Sequence, residues 1–389
     1  MFDYKKALSP TVTAIQPSGI RKFFDLLETR KDAISLTVGQ PDFVTPWHIR
    51  EAGIESLEKG KTYYTSNAGT LELREEIARY LDRRFNLHYD PLHEVIVTVG
   101  GSEAIDITVR ALVEAGDEVI IPMPAFVCYE PIVRMAGGIP VLIDTKEENR
   151  FRVTAAEIKN AITDKTKLLI LPFPNNPTGA ILEKEDLEAI ASVLRDTNIA
   201  VLSDEIYSEL TYGKHHVSIA NIDGMHERTV LVSGFSKAYA MTGWRVGYVA
   251  APRPFVDQMY KIHQYAIMCA PTTSQLAAIE AMKNGDGDIA EMKAEYDRRR
   301  HYIVNRLNRM GLTTFEPEGA FYVFPHVGKF GLSSEEFCQR LLDEGNVAIV
   351  PGTAFGQAGE GYARLSYAYS MKHISTALDR IEAFIATLS

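Results

Sequence analysis

Cysteine is scarce in this chain. Its 389 residues include three, Cys128, Cys269 and Cys338, far apart and with no CxxC spacing. That pattern excludes a disulfide framework and a thiolate zinc site, and leaves reduced, partly buried thiols as the expectation. Long apolar runs are also missing. Nothing approaches the roughly 18 consecutive apolar residues of a membrane-spanning helix, so no membrane partner is expected. Met1 to Pro10 is mixed polar and lacks the charged head and apolar centre of a secretory leader, which predicts a cytoplasmic protein. Positive charge is not in excess: 41 Lys and Arg against 51 Asp and Glu give a net charge of −10. A nucleic-acid partner needs a basic footprint, and the one basic run, Arg298-Arg299-Arg300, reads as a solvated helix face. Repeats, low-complexity segments and flexible linkers are absent, as are a GxGxxG fingerprint and a Walker loop, so NAD and ATP find little support.

Apolar and aromatic material is plentiful. Hydrophobic residues make up 46% of the chain, with 18 Tyr and 17 Phe. At this length two or more lobes are expected. Short β-rich runs lie at Val95–Val99, Glu118–Ile121, Pro140–Asp144, Lys167–Leu171, Ile199–Ser203, Thr229–Ser233 and Val246–Ala250. Helical patterns such as Glu103–Ala115 and Lys184–Leu194 separate several of them. The alternation predicts an α/β fold class, a mostly parallel mixed sheet flanked by helices. Ligands of such sheets gather at the carboxyl ends of strands. After about Ala270 the pattern changes to helices at Ala277–Lys283 and Ile289–Met310, then short strands at Phe321–Phe324, Val347–Val350 and Ala363–Ser366. An amphipathic helix follows from Met371. This predicts a large domain over 45–285, and a smaller α+β domain formed by 1–44 and 286–389.

Four clusters carry chemistry. In Val99-Gly100-Gly101-Ser102-Glu103-Ala104-Ile105 a strand ends, glycines turn, and a helix begins that runs towards Gly116, a candidate C′ cap. Free N–H groups at that helix start suit an anion, although the same residues also make a good strand-to-helix turn. Pro174-Asn175-Asn176-Pro177-Thr178-Gly179 follows another strand and reads equally as a turn. Ser203-Asp204-Glu205-Ile206-Tyr207 puts a carboxylate at a strand end, either a partner for a cationic ring nitrogen or a helix N-cap. In Ser233-Gly234-Phe235-Ser236-Lys237-Ala238-Tyr239, with Arg245 eight positions after the lysine, one amine stands among small and aromatic residues. Desolvation and a nearby cation lower an amine's pKa and make it nucleophilic. An arginine's paired donors suit a phosphate.

Taken in order, these clusters resemble the fold-type I pyridoxal-phosphate (PLP) enzymes, and among them the class I aminotransferases of the aspartate and aromatic branch. The chain also resembles N-acetyl-diaminopimelate aminotransferases of lysine biosynthesis. The resemblance runs from Leu36-Thr37-Val38-Gly39-Gln40-Pro41-Asp42-Phe43 to Ala363-Arg364-Leu365-Ser366-Tyr367-Ala368, and includes Thr242-Gly243-Trp244-Arg245-Val246-Gly247-Tyr248. It implies that Lys237 forms the internal Schiff base with pyridoxal 5′-phosphate and then moves a proton between the substrate Cα and the cofactor. Asp204 would pair with the pyridine nitrogen, Tyr207 and Asn176 with the phenolic oxygen, and Phe126 would stack on the ring. The phosphate would be held around Gly101, Ser102 and Glu103, by Ser236 and Arg245, and by Tyr64 of the neighbouring subunit. Arg364 would clamp the substrate α-carboxylate, with help from Gly39 and Asn176. One departure is Gly234, where the family often has serine. The implied assembly is a homodimer with shared active sites, and the implied substrates are an amino acid and a 2-oxo acid such as 2-oxoglutarate. Met123–Pro124 and Asn176–Pro177 are expected to be cis.

Other candidates are set aside. Asn284-Gly285-Asp286-Gly287-Asp288 with Glu295 imitates a calcium loop, but Ile289 stands where the tight turn needs glycine. His215-His216 lacks further ligands, so no metal is expected. Met241 and Trp244 read as core packing. Arg110 reads either as a partner for a distal substrate carboxylate or as a surface residue. A β-carbon–sulfur lyase on the same frame, and a PLP-sensing transcription regulator, are the competing functions; the regulator would need an added basic DNA-binding domain.

Overall fold

A computed structural model describes residues 2–17, 19, 30 and 32–388. Among the described residues the strands are β1 Ile34–Ser35, β2 Val95–Thr98, β3 Glu118–Met123, β4 Ile139–Asp144, β5 Thr166–Leu171, β6 Ala200–Asp204, β7 Thr229–Gly234, β8 Gly247–Ala250, β9 Tyr322–Val323, β10 Val347–Ala348, β11 Val350–Pro351 and β12 Ala363–Ser366. Seven of them form the main sheet in the order β2-β8-β7-β6-β5-β3-β4. Only β8 runs against its neighbours, so six strands point one way. The inner strands are Val-, Ile- and Leu-rich runs buried on both faces, as a helix-covered parallel sheet requires, whereas the edge strand β4 leaves Ile139 and Leu142 exposed. Every β-rich run expected in this half of the chain is a strand of this sheet.

This topology collects function on one edge. The segments after β2, β3, β5, β6 and β7 all leave from the carboxyl side of the sheet. Because β8 is antiparallel, the residues just before it, including Arg245, reach the same edge.

A second apolar cluster gathers Leu36, Phe337, Leu341, Val347, Leu365, Leu378 and Phe384 around β9, β10 and β12. The expected strand over Val347–Val350 is two strands with different partners. β10 pairs with β1, and the chain then switches at Ile349 so that β11 pairs with β12. Helix ends follow local chemistry. Thr70 caps Leu71–Phe85, whose C-cap Asn86 is left-handed; Ser333 and Ser370 cap the helices Ser334–Gly345 and Met371–Ala386.

Two expectations are corrected. Gly116 is not the cap of the helix Gly100–Leu112, because Val113 already turns extended to bury its side chain; Gly116 sits in a later turn at φ +92°. The basic run is not a solvated face. Arg298 is exposed, but Arg299 and Arg300 are buried against the rings of Phe43 and Tyr212. Arg299 pairs with Asp42 and Glu295, and Arg300 with Asp297 and Glu316. The imitation calcium loop is the junction between the helices Thr272–Asn284 and Asp286–Arg309, with Asp286 bound to Arg83 and Asp288 to His48. His216 meets the buried Glu205 at 2.7 Å. Among the described residues no helix is long and apolar enough to cross a membrane.

Candidate active site

At the carboxyl edge of the sheet lies a cavity of about 350 Å³. Its walls include Gly39, Gly101, Ser102, Phe126, Asn176, Asp204, Tyr207, Ser236, Lys237, Arg245 and Arg364. Thus eleven of the thirteen residues singled out from sequence meet here, although they come from seven separate segments.

Lys237 follows β7. Its Nζ donates to the Gly39 carbonyl at 2.5 Å and stands about as far from the ring of Tyr207 (5.6 Å) as from that of Phe321 (5.7 Å). Burial, followed by the cations of Arg364 and Arg245, lowers its pKa to about 8. Asp204 ends β6. Tyr129 donates its hydroxyl to Oδ2 at 2.7 Å, and the Ile206 N–H donates to Oδ1 at 3.2 Å. Burial still holds this carboxyl above its ordinary pKa, so a cation placed against it would be strongly welcomed. The Tyr207 hydroxyl lies 2.7 Å from that of Tyr322.

Arg364, on β12, is buried between the rings of Tyr322 and Phe355, at 4.6 and 4.7 Å. Nη1 donates to Asn176 Oδ1 at 2.9 Å and Nη2 to the Thr37 carbonyl, while the buried Nε has no partner. A buried unpaired donor is costly, and a ligand oxygen would relieve it. Using its carbonyl on Arg364 orients Asn176 and leaves its amide N–H groups free. Asn175, one residue earlier, holds this turn together by accepting from the Thr178 N–H and hydroxyl. The bonds Met123–Pro124 and Asn176–Pro177 are cis, as expected, and so is Phe173–Pro174.

Three glycines make a cradle at the start of the helix Gly100–Leu112. Gly100 is left-handed (φ +77°), and a Cβ there would meet Arg245 Nη2 at 2.6 Å. A Cβ on Gly247 would meet the Gly100 carbonyl carbon at 2.7 Å and the Gly101 nitrogen at 2.9 Å. At Gly234 it would stand 2.9 Å from the Gly247 Cα, which explains why serine does not occupy this position. The backbone N–H groups, Ser236 and the guanidinium therefore face one space at a helix N-terminus, a donor set that fits a phosphate.

Two expected residues lie elsewhere, and so does Arg110, whose role was open. Tyr64 is 78% exposed and belongs to a different surface hollow. Glu103 turns away from the cavity, accepting from the Val99 N–H and pairing with His263 at 2.5 Å. Arg110 bonds Asp106 one turn back on the exposed side of its helix, so its surface reading holds in this chain. Tyr129 and Tyr322 escaped the sequence reading. Tyr129 stands three residues past Phe126, after a strand end, and that position was a usable signal. Nothing local marks Tyr322.

The fold and the cavity define an enzyme that handles amines: a lysine of depressed pKa faces a buried carboxylate and an anion cradle, with a carboxylate-sized arginine clamp opposite. Comparison with known proteins makes the class specific. The profile of the family Aminotransferase class I and II matches residues 31–381. An aspartate aminotransferase of Pyrococcus abyssi is 48% identical over 97% of each chain. Among solved structures, an aromatic aminotransferase from Pyrococcus horikoshii OT3 superposes with a TM-score of 0.90 at 46% identity, covering 94% of this chain and 100% of that one. The aspartate aminotransferase from Thermus thermophilus with maleate gives 0.93 at 38% identity, covering 97% and 99%. The chain belongs to the class I and II aminotransferases. It has the fold-type I architecture of these PLP-dependent enzymes and is an aminotransferase.

Proposed function

We propose that this aminotransferase moves the amino group of an L-amino acid, of the aspartate or aromatic type, to a 2-oxo acid such as 2-oxoglutarate by a ping-pong cycle, with pyridoxal 5′-phosphate held at Lys237. The observation that carries the reading is the pairing of a softened amine, Lys237, with the half-satisfied Arg364 across one cavity. When bound, the cofactor supplies an aldehyde that exchanges amines and a ring that accepts the electron pair left on Cα. Gly101, Ser102, Ser236 and Arg245 would grip its phosphate, and Phe126 would lie against its ring. Asp204, fixed by Tyr129, would hold the proton on the ring nitrogen. Tyr207 and the amide of Asn176 would donate to the phenolic oxygen. Arg364 and the Gly39 N–H would clamp the substrate α-carboxylate, placing Cα beside Nζ. Released from the cofactor, Lys237 Nζ would take the Cα proton and return it on the cofactor side.

Among the described residues, the cations lining the cavity are Lys237, Arg245 and Arg364, each with a role in this scheme. The remaining described wall is mostly apolar, with Val38, Ile105 and Tyr322 beside the uncharged Gln40 and Thr242, and offers a donor side chain apolar carbons and a ring. This favours an aromatic donor. The division into a domain of 45–285 and one of 1–44 with 286–389 is our reading too. It is supported by an apolar cluster drawn mostly from those two terminal segments, with Tyr207, Leu210, Tyr212 and Ala240 of the larger domain packed into it; residues 1, 18, 20–29, 31 and 389 lie outside the described ones.

A donor panel of Asp, Phe, Tyr and N-acetyl-diaminopimelate with 2-oxoglutarate tests the substrate reading: Phe and Tyr should give the highest kcat/KM. A preference for Asp overturns the aromatic choice alone, and a preference for N-acetyl-diaminopimelate overturns the aspartate-or-aromatic reading as a whole. Turnover without any 2-oxo acid would replace the transferase with a lyase.

A further inference from the structure

His263, on the helix Arg253–Ala266, is fully buried, yet it does not line the cavity. Its Nδ1 lies 2.5 Å from Glu103 Oε1 and its Nε2 lies 2.7 Å from the Asn67 carbonyl. A carbonyl only accepts, so Nε2 carries a hydrogen. At the other nitrogen a single proton lies between ring and carboxylate, whichever group holds it. Both ring nitrogens are therefore committed.

The two ends of this strut lead to the same ligand. Glu103 Oε2 accepts from the Val99 N–H, and Val99 immediately precedes Gly100, Gly101 and Ser102. A carboxylate in the first turn also suits the helix dipole. At the far end, Asn67 is fastened by its side chain, which donates to the Met268 carbonyl at 2.7 Å and accepts from Tyr260 at 3.3 Å. Ala68 then receives the Val97 N–H of β2 at 2.9 Å, and Tyr64 stands three residues before Asn67. One buried imidazole thus ties the turn that presents the cradle's N–H groups to the segment carrying Tyr64.

We propose that Glu103 and His263 are positioning residues for the phosphate cradle, holding the start of the helix Gly100–Leu112 in the arrangement that binds a phosphate anion. The proposal rests on the reading that Gly101, Ser102 and Arg245 hold that phosphate. It assigns Glu103 a task one step removed from the ligand contact expected from its sequence position.

The test uses apoenzyme, with PLP, inorganic phosphate as its competitor, and pyridoxal, which lacks the phosphate. Glu103→Ala and His263→Phe should each weaken PLP and inorganic phosphate by about tenfold, the scale of one lost charge-assisted hydrogen bond, and change pyridoxal binding by no more than about twofold. Glu103→Gln keeps an acceptor for Val99 and gives an N–H to the imidazole, so it should restore most of the phosphate affinity. His263→Gln, a milder change that keeps one of the two bonds, should fall between wild type and His263→Phe. Equal weakening of PLP and pyridoxal would show a general loss of structure and overturn the proposal. So would wild-type phosphate affinity in the variants, and His263→Gln alone decides this if the harsher variants do not fold. Should wild-type apoenzyme show no competition by inorganic phosphate, the cradle reading itself falls and takes this one with it.

Discussion

Lys237 shows how much chemistry one side chain draws from its surroundings. A lysine ordinarily titrates near 10.4. Here burial comes first and the cations of Arg364 and Arg245 second, and together they bring it to about 8. The sign is definite: a lowered pKa means that the amine sheds its proton and becomes nucleophilic above about pH 8, some two units earlier than a surface lysine. In the apoenzyme, reductive methylation of Lys237 by formaldehyde and cyanoborohydride, followed by mass spectrometry, should rise with pH to a half-maximum near 8. Arg364→Leu should move that midpoint upward, yet keep it below the surface lysines because burial persists. An unmoved midpoint would remove Arg364 from the explanation. Lys237, Asp204 and Arg364 were legible in the sequence because each stands in a short motif whose neighbours restrict its chemistry. Tyr129 and Tyr322 were not, since their hydroxyls are recruited across the fold by Asp204 and Tyr207. Glu103 lay between these cases. Its motif was visible, but the direction of its carboxylate depends on His263, 160 positions away.

At the scale of elements, the cradle is a problem in backbone approach. Gly247 lies so close to Gly100 on one side and to Gly234 on the other that neither approach would keep its spacing with an added methyl group. Gly100→Ala should be the most informative change. It forces an alanine to the left-handed region, at about 1–2 kcal/mol, and pushes its Cβ into Arg245 Nη2. The sheet is otherwise untouched, so the variant should fold, with a slightly lowered Tm, and release PLP at least about tenfold faster, as loss of a charge-assisted contact requires. Cofactor retention like that of wild type would mean that Arg245 is not part of the cradle. The strands themselves were easy to read, because β-branched runs between turn residues have few other uses. Their partners were harder. Val347–Val350 looks like one strand in sequence, but its first half finds β1 and its second half β12, a switch imposed by packing and not by propensity.

At the scale of the molecule, Tyr64, expected at the phosphate, lies outside the cavity. Tyr64 is exposed in a single chain, and so are Tyr63 (62%) and Tyr265 (88%), three aromatic rings in water. The segments that carry them are tied down: Thr272 bonds the Tyr63 carbonyl at 2.6 Å, Gln275 bonds the Thr65 hydroxyl at 2.9 Å, and Tyr265 lies in the helix Arg253–Ala266. Rigidly held, exposed aromatic surface of this kind is what a partner covers. We read the enzyme as a two-fold homodimer in which Tyr64 reaches the phosphate in the other subunit, an isologous contact that completes both sites at once. An obligate interface of this type should bury well over about 2,000 Å². Tyr64→Phe should weaken cofactor retention and leave the dimer intact, because it deletes one hydroxyl and almost no packing. Mixing that variant with Lys237→Ala chains separates the possibilities. A heterodimer has one complete lysine, and if the contact crosses the interface, that lysine's site receives the intact Tyr64 of the other chain. PLP affinity there should return to the wild-type value. If Tyr64 acts within its own chain, the same site keeps the phenylalanine and the mixture binds PLP no better than Tyr64→Phe alone. With subunit exchange verified by mass spectrometry, that second outcome would rule out the shared site.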